Sequence, residues 1–242
     1  MKILFLGLTV LILALFISTG AGALSIDDST NGATTYYGGT IHGSYNDVIG
    51  YDSDFSVTNL TATQAGGITT VDLTGPYFTT SYATGAFPYG NIGDLYISST
   101  GWKVNSPADH ARADTFDANE GWNYVVSFGQ IKVYSLDFDK ITWSGDEDYW
   151  SWYRTDQAYR GGYGSELPGV VSIEFNYTLG YLRFTFPDIG DVETMGFHWT
   201  MACGNDVVEG GGTPAPEPAT MLLVGSGLLG LAGYGRKKFF KK

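Results

Sequence analysis

A single cysteine, Cys203, is the first scarcity in this chain of 242 residues. It excludes an intrachain disulfide, so stability has to come from a buried apolar core. Histidine is nearly as rare: His42, His110 and His198 are scattered rather than set at ligand spacing. Neither HExxH nor CxxC occurs, which removes the common zinc arrangements. G-x-S-x-G is missing too, so there is no nucleophile elbow. Leu167-Pro168-Gly169 lacks the Thr-Gly that would make it a sortase signal. Basic residues are short in the middle of the chain, where seven Lys and Arg stand against 24 acidic residues. A field of that sign repels nucleic acid phosphate and anionic lipid. Nucleic acid is not an expected partner.

The two ends differ from this middle. Met1-Lys2 is followed by an uncharged run from Ile3 to Ile17, then by Ala21-Gly22-Ala23. Charge, apolar run and small-residue exit make a secretory signal peptide over residues 1–23, cut after Ala23 by signal peptidase. The apolar run is short for a span of roughly 20 residues. A body over 24–209 and a Gly-rich linker over 210–215 come next. The tail, 216–242, opens with Pro216-Glu217-Pro218 and continues as an uncharged run from Ala219 to Gly235. The prolines keep the chain extended around Glu217. The apolar run, about 17 residues, sits at the lower limit for a helix that spans a bilayer. Arg236, Lys237, Lys238, Lys241 and Lys242 then stay cytoplasmic by the positive-inside rule. Gly225-Ser226-Gly227-Leu228-Leu229-Gly230 matches a dinucleotide fingerprint as text, but no βαβ unit surrounds it, so the cofactor reading is rejected. Small residues that let helices approach closely account for it.

Pro-Glu-Pro, a Gly-containing apolar segment and a terminal basic cluster together resemble the PEP-CTERM sorting signal of Gram-negative bacteria. The resemblance implies that a membrane enzyme, exosortase, recognises Pro216-Glu217-Pro218 and cleaves nearby. It also implies a transient stay at the inner membrane, then passage to the cell surface or extracellular matrix.

Within the body, several segments alternate with period two. Val171, Ile173, Phe175, Tyr177 and Leu179 share one face, opposite Ser172, Glu174, Asn176 and Thr178, the pattern of a half-buried strand. Gly180 interrupts it, and Leu182, Phe184 and Phe186 resume the apolar face, so a hairpin is expected. Tyr124 to Phe128 and Ile131 to Leu136 flank Gly129-Gln130, which predicts a two-residue type II′ hairpin. Ile68 to Leu73, Asp94 to Ser98 and Phe197 to Cys203 are shorter strand candidates. No stretch sustains helical spacing with caps. The expected fold is mainly β: one antiparallel, jelly-roll-like β-sandwich between the signal peptide and a short C-terminal transmembrane helix. Two blocks of the body, Gly93 to Trp102 and Phe197 to Gly210, resemble the exosortase-dependent surface proteins of the XDP1 family. That family is defined by sorting and sequence, and implies no reaction.

Candidate sites in the body compete with plainer readings. Alternation puts His198 and Trp199 on opposite faces, which places His198 toward solvent or a shallow groove. Cys203 shares a face with Phe197, Trp199 and Met201, the position of an inert core thiol. No cofactor is expected. Calcium is the one ion for which Asp52 and Asp54, Asp137 and Asp139, or Asp146-Glu147-Asp148 could supply oxygen ligands, though none fits an EF-hand loop. Tyr149-Trp150-Ser151-Trp152-Tyr153 is the densest aromatic cluster; Trp150 and Trp152 make either a sugar-stacking platform or a buried strand face. The functions in competition are therefore a non-enzymatic structural or adhesive surface protein, a module that binds exopolysaccharide, and, third, a polysaccharide-acting hydrolase.

Overall fold

The computed structural model describes residues 22–28, 52–83, 92–103, 116–144 and 157–212. The run from Ile3 to Ile17, Ala21, and the tail with its expected transmembrane helix lie outside them. Among the described residues no helix is long and apolar enough to cross a membrane.

Eleven strands account for most of what is described. β1 (Gly22–Asp27), β2 (Asn59–Ala65), β3 (Ile68–Thr74), β8 (Ser172–Asn176) and β9 (Tyr181–Pro187) form one sheet. β4 (Leu95–Ser98), β5 (Tyr124–Ser127), β6 (Lys132–Trp143), β7 (Ala158–Glu166), β10 (Gly196–Thr200) and β11 (Val207–Gly211) form the other. The orders are β1-β2-β3-β9-β8 and β11-β10-β4-β5-β6-β7, with every pairing antiparallel. A one-turn helix, α1 (Asp52–Phe55), precedes β2.

Side-chain alternation explains how the sheets meet. Leu60, Val71, Leu73, Leu182, Phe184 and Phe186 point inward from the first sheet, and Leu95, Ile97, Val126, Val133, Phe197, Trp199 and Val208 from the second. Register holds these sets together: Leu60 stands opposite Leu73, Leu73 opposite Leu182, and Val71 opposite Phe184. Both sets belong to one continuous buried core, so the two sheets face each other as a sandwich. Trp199 lies at its centre, with ring centroids 5.5 Å from Phe78 and 5.9 Å from Tyr77.

The six-stranded sheet is buried on its outer face as well. Tyr96, Val125, Tyr134 and Ala158 project there and are covered by Phe116 and Trp122. Phe116 stacks on Trp122 at 5.2 Å and tilts against His198 at 4.7 Å. Strands 4, 5 and 10 are therefore buried along most of their length, unlike an antiparallel sheet that turns one face to water.

The expected strands are present, with corrections at their ends. Tyr177 and Leu179 do not continue the buried face of β8; they sit exposed in the turn to β9, where Gly180 adopts φ 69°. The strand from Phe197 ends at Thr200 rather than Cys203. Gly129-Gln130 is not a two-residue turn: Ser127 pairs with Lys132, leaving a four-residue loop in which Ile131, not the glycine, has positive φ. The loop is held from inside the fold, since Ser127 Oγ accepts from Gln130 N–H and Asp94 Oδ1 from Phe128 N–H. The jelly-roll expectation is met only in part. β1 to β3 and β4 to β7 run as meanders, and only the β3–β4 and β9–β10 crossings lie side by side, joining neighbouring strands of one sheet to neighbouring strands of the other.

Candidate functional site

The two sequence blocks singled out above are neighbours in space. β4 lies in the first, β10 and β11 in the second, and β10 pairs with both β4 and β11. The two blocks carry three buried carboxylates, Asp94, Asp206 and Glu209.

Glu209 is 1% exposed and closes the outer layer. Its Oε2 is 2.6 Å from His198 Nδ1, and its Oε1 accepts from Trp102 Nε1 at 3.0 Å. His198 Nε2 faces the Ala158 carbonyl at 3.2 Å. A carbonyl only accepts, so Nε2 carries a proton, and the remaining proton lies between Nδ1 and the Glu209 carboxyl. His198 is 0% exposed, which corrects its expected place at the surface. The alternation was right, but the face opposite Trp199 is roofed by Phe116 and Trp122.

Asp94 works at the other end of β4. Its Oδ1 accepts from Phe128 N–H at 2.7 Å, and its Oδ2 from Gly161 N–H at 3.1 Å and Tyr163 Oη at 2.5 Å. Burial pushes its pKa above the ordinary carboxylate range, against the pull of these bonds and of nearby Arg160. Tyr163 is pushed up to about 12 by burial and then by the charge of Asp94. The register of β6 against β7 shifts at this point, and Gly161 takes φ 86° there. A Cβ on Gly161 would stand 2.4 Å from the Lys140 carbonyl oxygen, so only glycine aims its N–H at Asp94. Gly93 is held as tightly: its carbonyl accepts from Trp199 Nε1, and a Cβ there would meet Thr200 O at 2.0 Å.

Asp206 fastens the segment before β2. Its Oδ2 accepts from Val57 N–H at 2.6 Å, its Oδ1 from Val207 N–H at 2.9 Å, and its carbonyl from Thr200 Oγ1 at 2.7 Å. Glu120 does similar work in the outer layer, accepting from Asp117 N–H and Trp122 Nε1. Asp94, Asp206 and Glu209 have both side-chain oxygens engaged by the protein's own groups, and Glu120 takes both of these bonds on Oε2. Their chemistry is that of structural acceptors.

The other expected sites divide clearly. Pro216, Glu217, Pro218, the five basic residues from Arg236 to Lys242, Ala21, Trp150, Trp152 and Asp146 to Asp148 lie outside the described residues. Ala23 is in β1, paired with Thr63. Cys203 is half-buried against the main core, and burial pushes its thiol up to about 11. Asp137 is bonded to Lys140, which lowers its pKa. Among the described residues no three His, Cys, Asp or Glu side chains are gathered to hold a metal. Asp94, Asp206, Glu209 and Trp102 were not expected as a set; their only sequence signal was membership of the two blocks.

No curated protein and no solved structure matches the chain. Residues 214–237 match the family model of the PEP-CTERM protein-sorting motif. This chain therefore bears the mark of a protein that is exported, held at the membrane and processed by exosortase on its way to the cell surface.

Proposed function

We propose that the body is a non-enzymatic structural or adhesive domain of the cell surface or extracellular matrix, delivered there by its sorting tail. One observation carries this reading: the buried acids of the two blocks are spent on backbone N–H groups, His198 and tryptophan. A glycosidase needs two carboxyl groups facing a shared, solvent-reached bond, and these face the inside of the fold. The contact between the two blocks also favours kinship of the body with exosortase-dependent surface proteins of the XDP1 type, because each block completes the other. Neither a cofactor nor calcium has a part in this reading.

Binding of exopolysaccharide is the second reading. Half-buried Trp102, Phe138, Trp143 and Tyr163 border the aromatic layer on the outside of the six-stranded sheet, and flat rings of this kind stack on sugars. One experiment addresses both. Deleting Pro216 to Lys242 should move the protein from the cell envelope to the medium; retention in the envelope would overturn sorting by the tail. Native polysaccharide titrated into the released body should leave its tryptophan fluorescence unchanged if the role is structural. A saturable change would favour the second reading.

A further inference from the structure

Both ends of the described body leave the sandwich at one place. β1 starts at Gly22, which stands opposite Gln64. Gln64 Nε2 donates to the Gly190 carbonyl at 2.7 Å, in the loop between β9 and β10. A Cβ on Gly22 would lie 2.7 Å from Val192 Cγ1. At the other end, Gly212 N–H donates to the Met195 carbonyl at 3.0 Å. A Cβ on Gly212 would lie 2.0 Å from the Glu193 carbonyl oxygen and 3.4 Å from Leu24 Cδ1. The loop over residues 188–195 thus packs against the first and the last described strand together. Asp188, Asp191 and Glu193 make its outer surface acidic and exposed.

Chain length then limits where the tail can go. Four Cα steps separate Gly212 from Pro216, a reach of at most about 14 Å. β9 has seven residues, so the fold extends about 20 Å from this end to the turn that holds Leu179. The tether is shorter than the fold is deep.

We propose that the end of the sandwich formed by Leu24, the 188–195 loop and Gly212 is the face that meets exosortase while Pro216-Glu217-Pro218 is in its site. The proposal rests on the tail being an exosortase substrate, and adds which surface of the body the enzyme must accommodate. The carboxylates of that surface fit an enzyme face that is neutral or basic, and oppose an anionic lipid surface.

The test uses the full chain in membranes that contain exosortase. A photo-crosslinking amino acid replaces either Glu193 at this end or Leu179 at the other, both exposed. Position 193 should crosslink to the enzyme at least about tenfold more than position 179, because a short tether fixes one face of the body. Deleting Thr213 to Ala215 should lower cleavage by at least about tenfold, and Gly-Ser-Gly in their place should restore it. Equal crosslinking from the two positions, crosslinks from 193 to lipid alone, or cleavage indifferent to the deletion would overturn the proposal. If the unaltered chain is not cleaved either, the reading of the tail itself fails, and the two failures are told apart by that control.

Discussion

Asp94 shows what a single buried carboxylate does to this fold. Three donors converge on it, yet burial still raises its pKa above the usual range. The folded state therefore binds this proton more tightly than the unfolded chain does. Its contribution is fully present below the ordinary carboxylate value and is lost as pH rises through the folded value. Asp94→Asn should remove that slope from a plot of unfolding free energy against pH. At neutral pH it should also cost about 2 kcal/mol, since an amide cannot accept from all three donors; urea melts at several pH values check both. None of this was legible in the sequence. A carboxylate that accepts from backbone N–H groups has no spacing signature, because its donors, Phe128 and Gly161, are set by the fold. His198 escaped for a related reason. Alternation correctly separated it from Trp199, but it cannot say whether a second layer covers the far face.

Among the strands, the legible parts were those where one face is wet. β3 and β9 alternate cleanly, and the β8–β9 hairpin follows from Gly180 and the apolar residues on either side. The β5–β6 turn was misread because its conformation comes from Asp94 and Ser127, not from Gly129. Ion pairs between strands divide in the same way. Asp72 and Arg183 link β3 to β9 in a two-pronged pair, Nε to Oδ1 at 2.6 Å and Nη2 to Oδ2 at 2.9 Å. Arg183 is 41% exposed, so water screens the pair, and Asp72→Ala should cost no more than about 1 kcal/mol. Glu209→Ala strips the acceptor from His198 and Trp102 inside the outer layer, and should cost about 3–5 kcal/mol. Urea midpoints of the two variants, compared at one pH, check the contrast. Equal losses would mean that the outer layer is wetter than the geometry says.

At the scale of the whole molecule, sequence predicted a single β-sandwich and a sorted tail, and missed how the chain is threaded through the two sheets. Crossings such as β3–β4 and β9–β10 depend on pairings distant in sequence, which local patterns do not carry. The shared exit of Gly22 and Gly212 belongs to the same class of hidden facts, and it has a direct check. A circular permutant that joins Gly212 to Leu24 through a short flexible linker, and opens the chain at Leu179, should keep the β-rich circular dichroism and cooperative melting of the parent body. Loss of cooperative melting would mean that these ends are not neighbours.

Glu209 sits on the last described strand, and two indispensable donors wait for it. A polypeptide truncated before residue 207 would retain ten of the eleven described strands, yet the imidazole of His198 and the half-buried indole of Trp102 would both lose their acceptor. Only a chain made through to β11, four residues short of the Pro-Glu-Pro signal, carries the acceptor that these two side chains share.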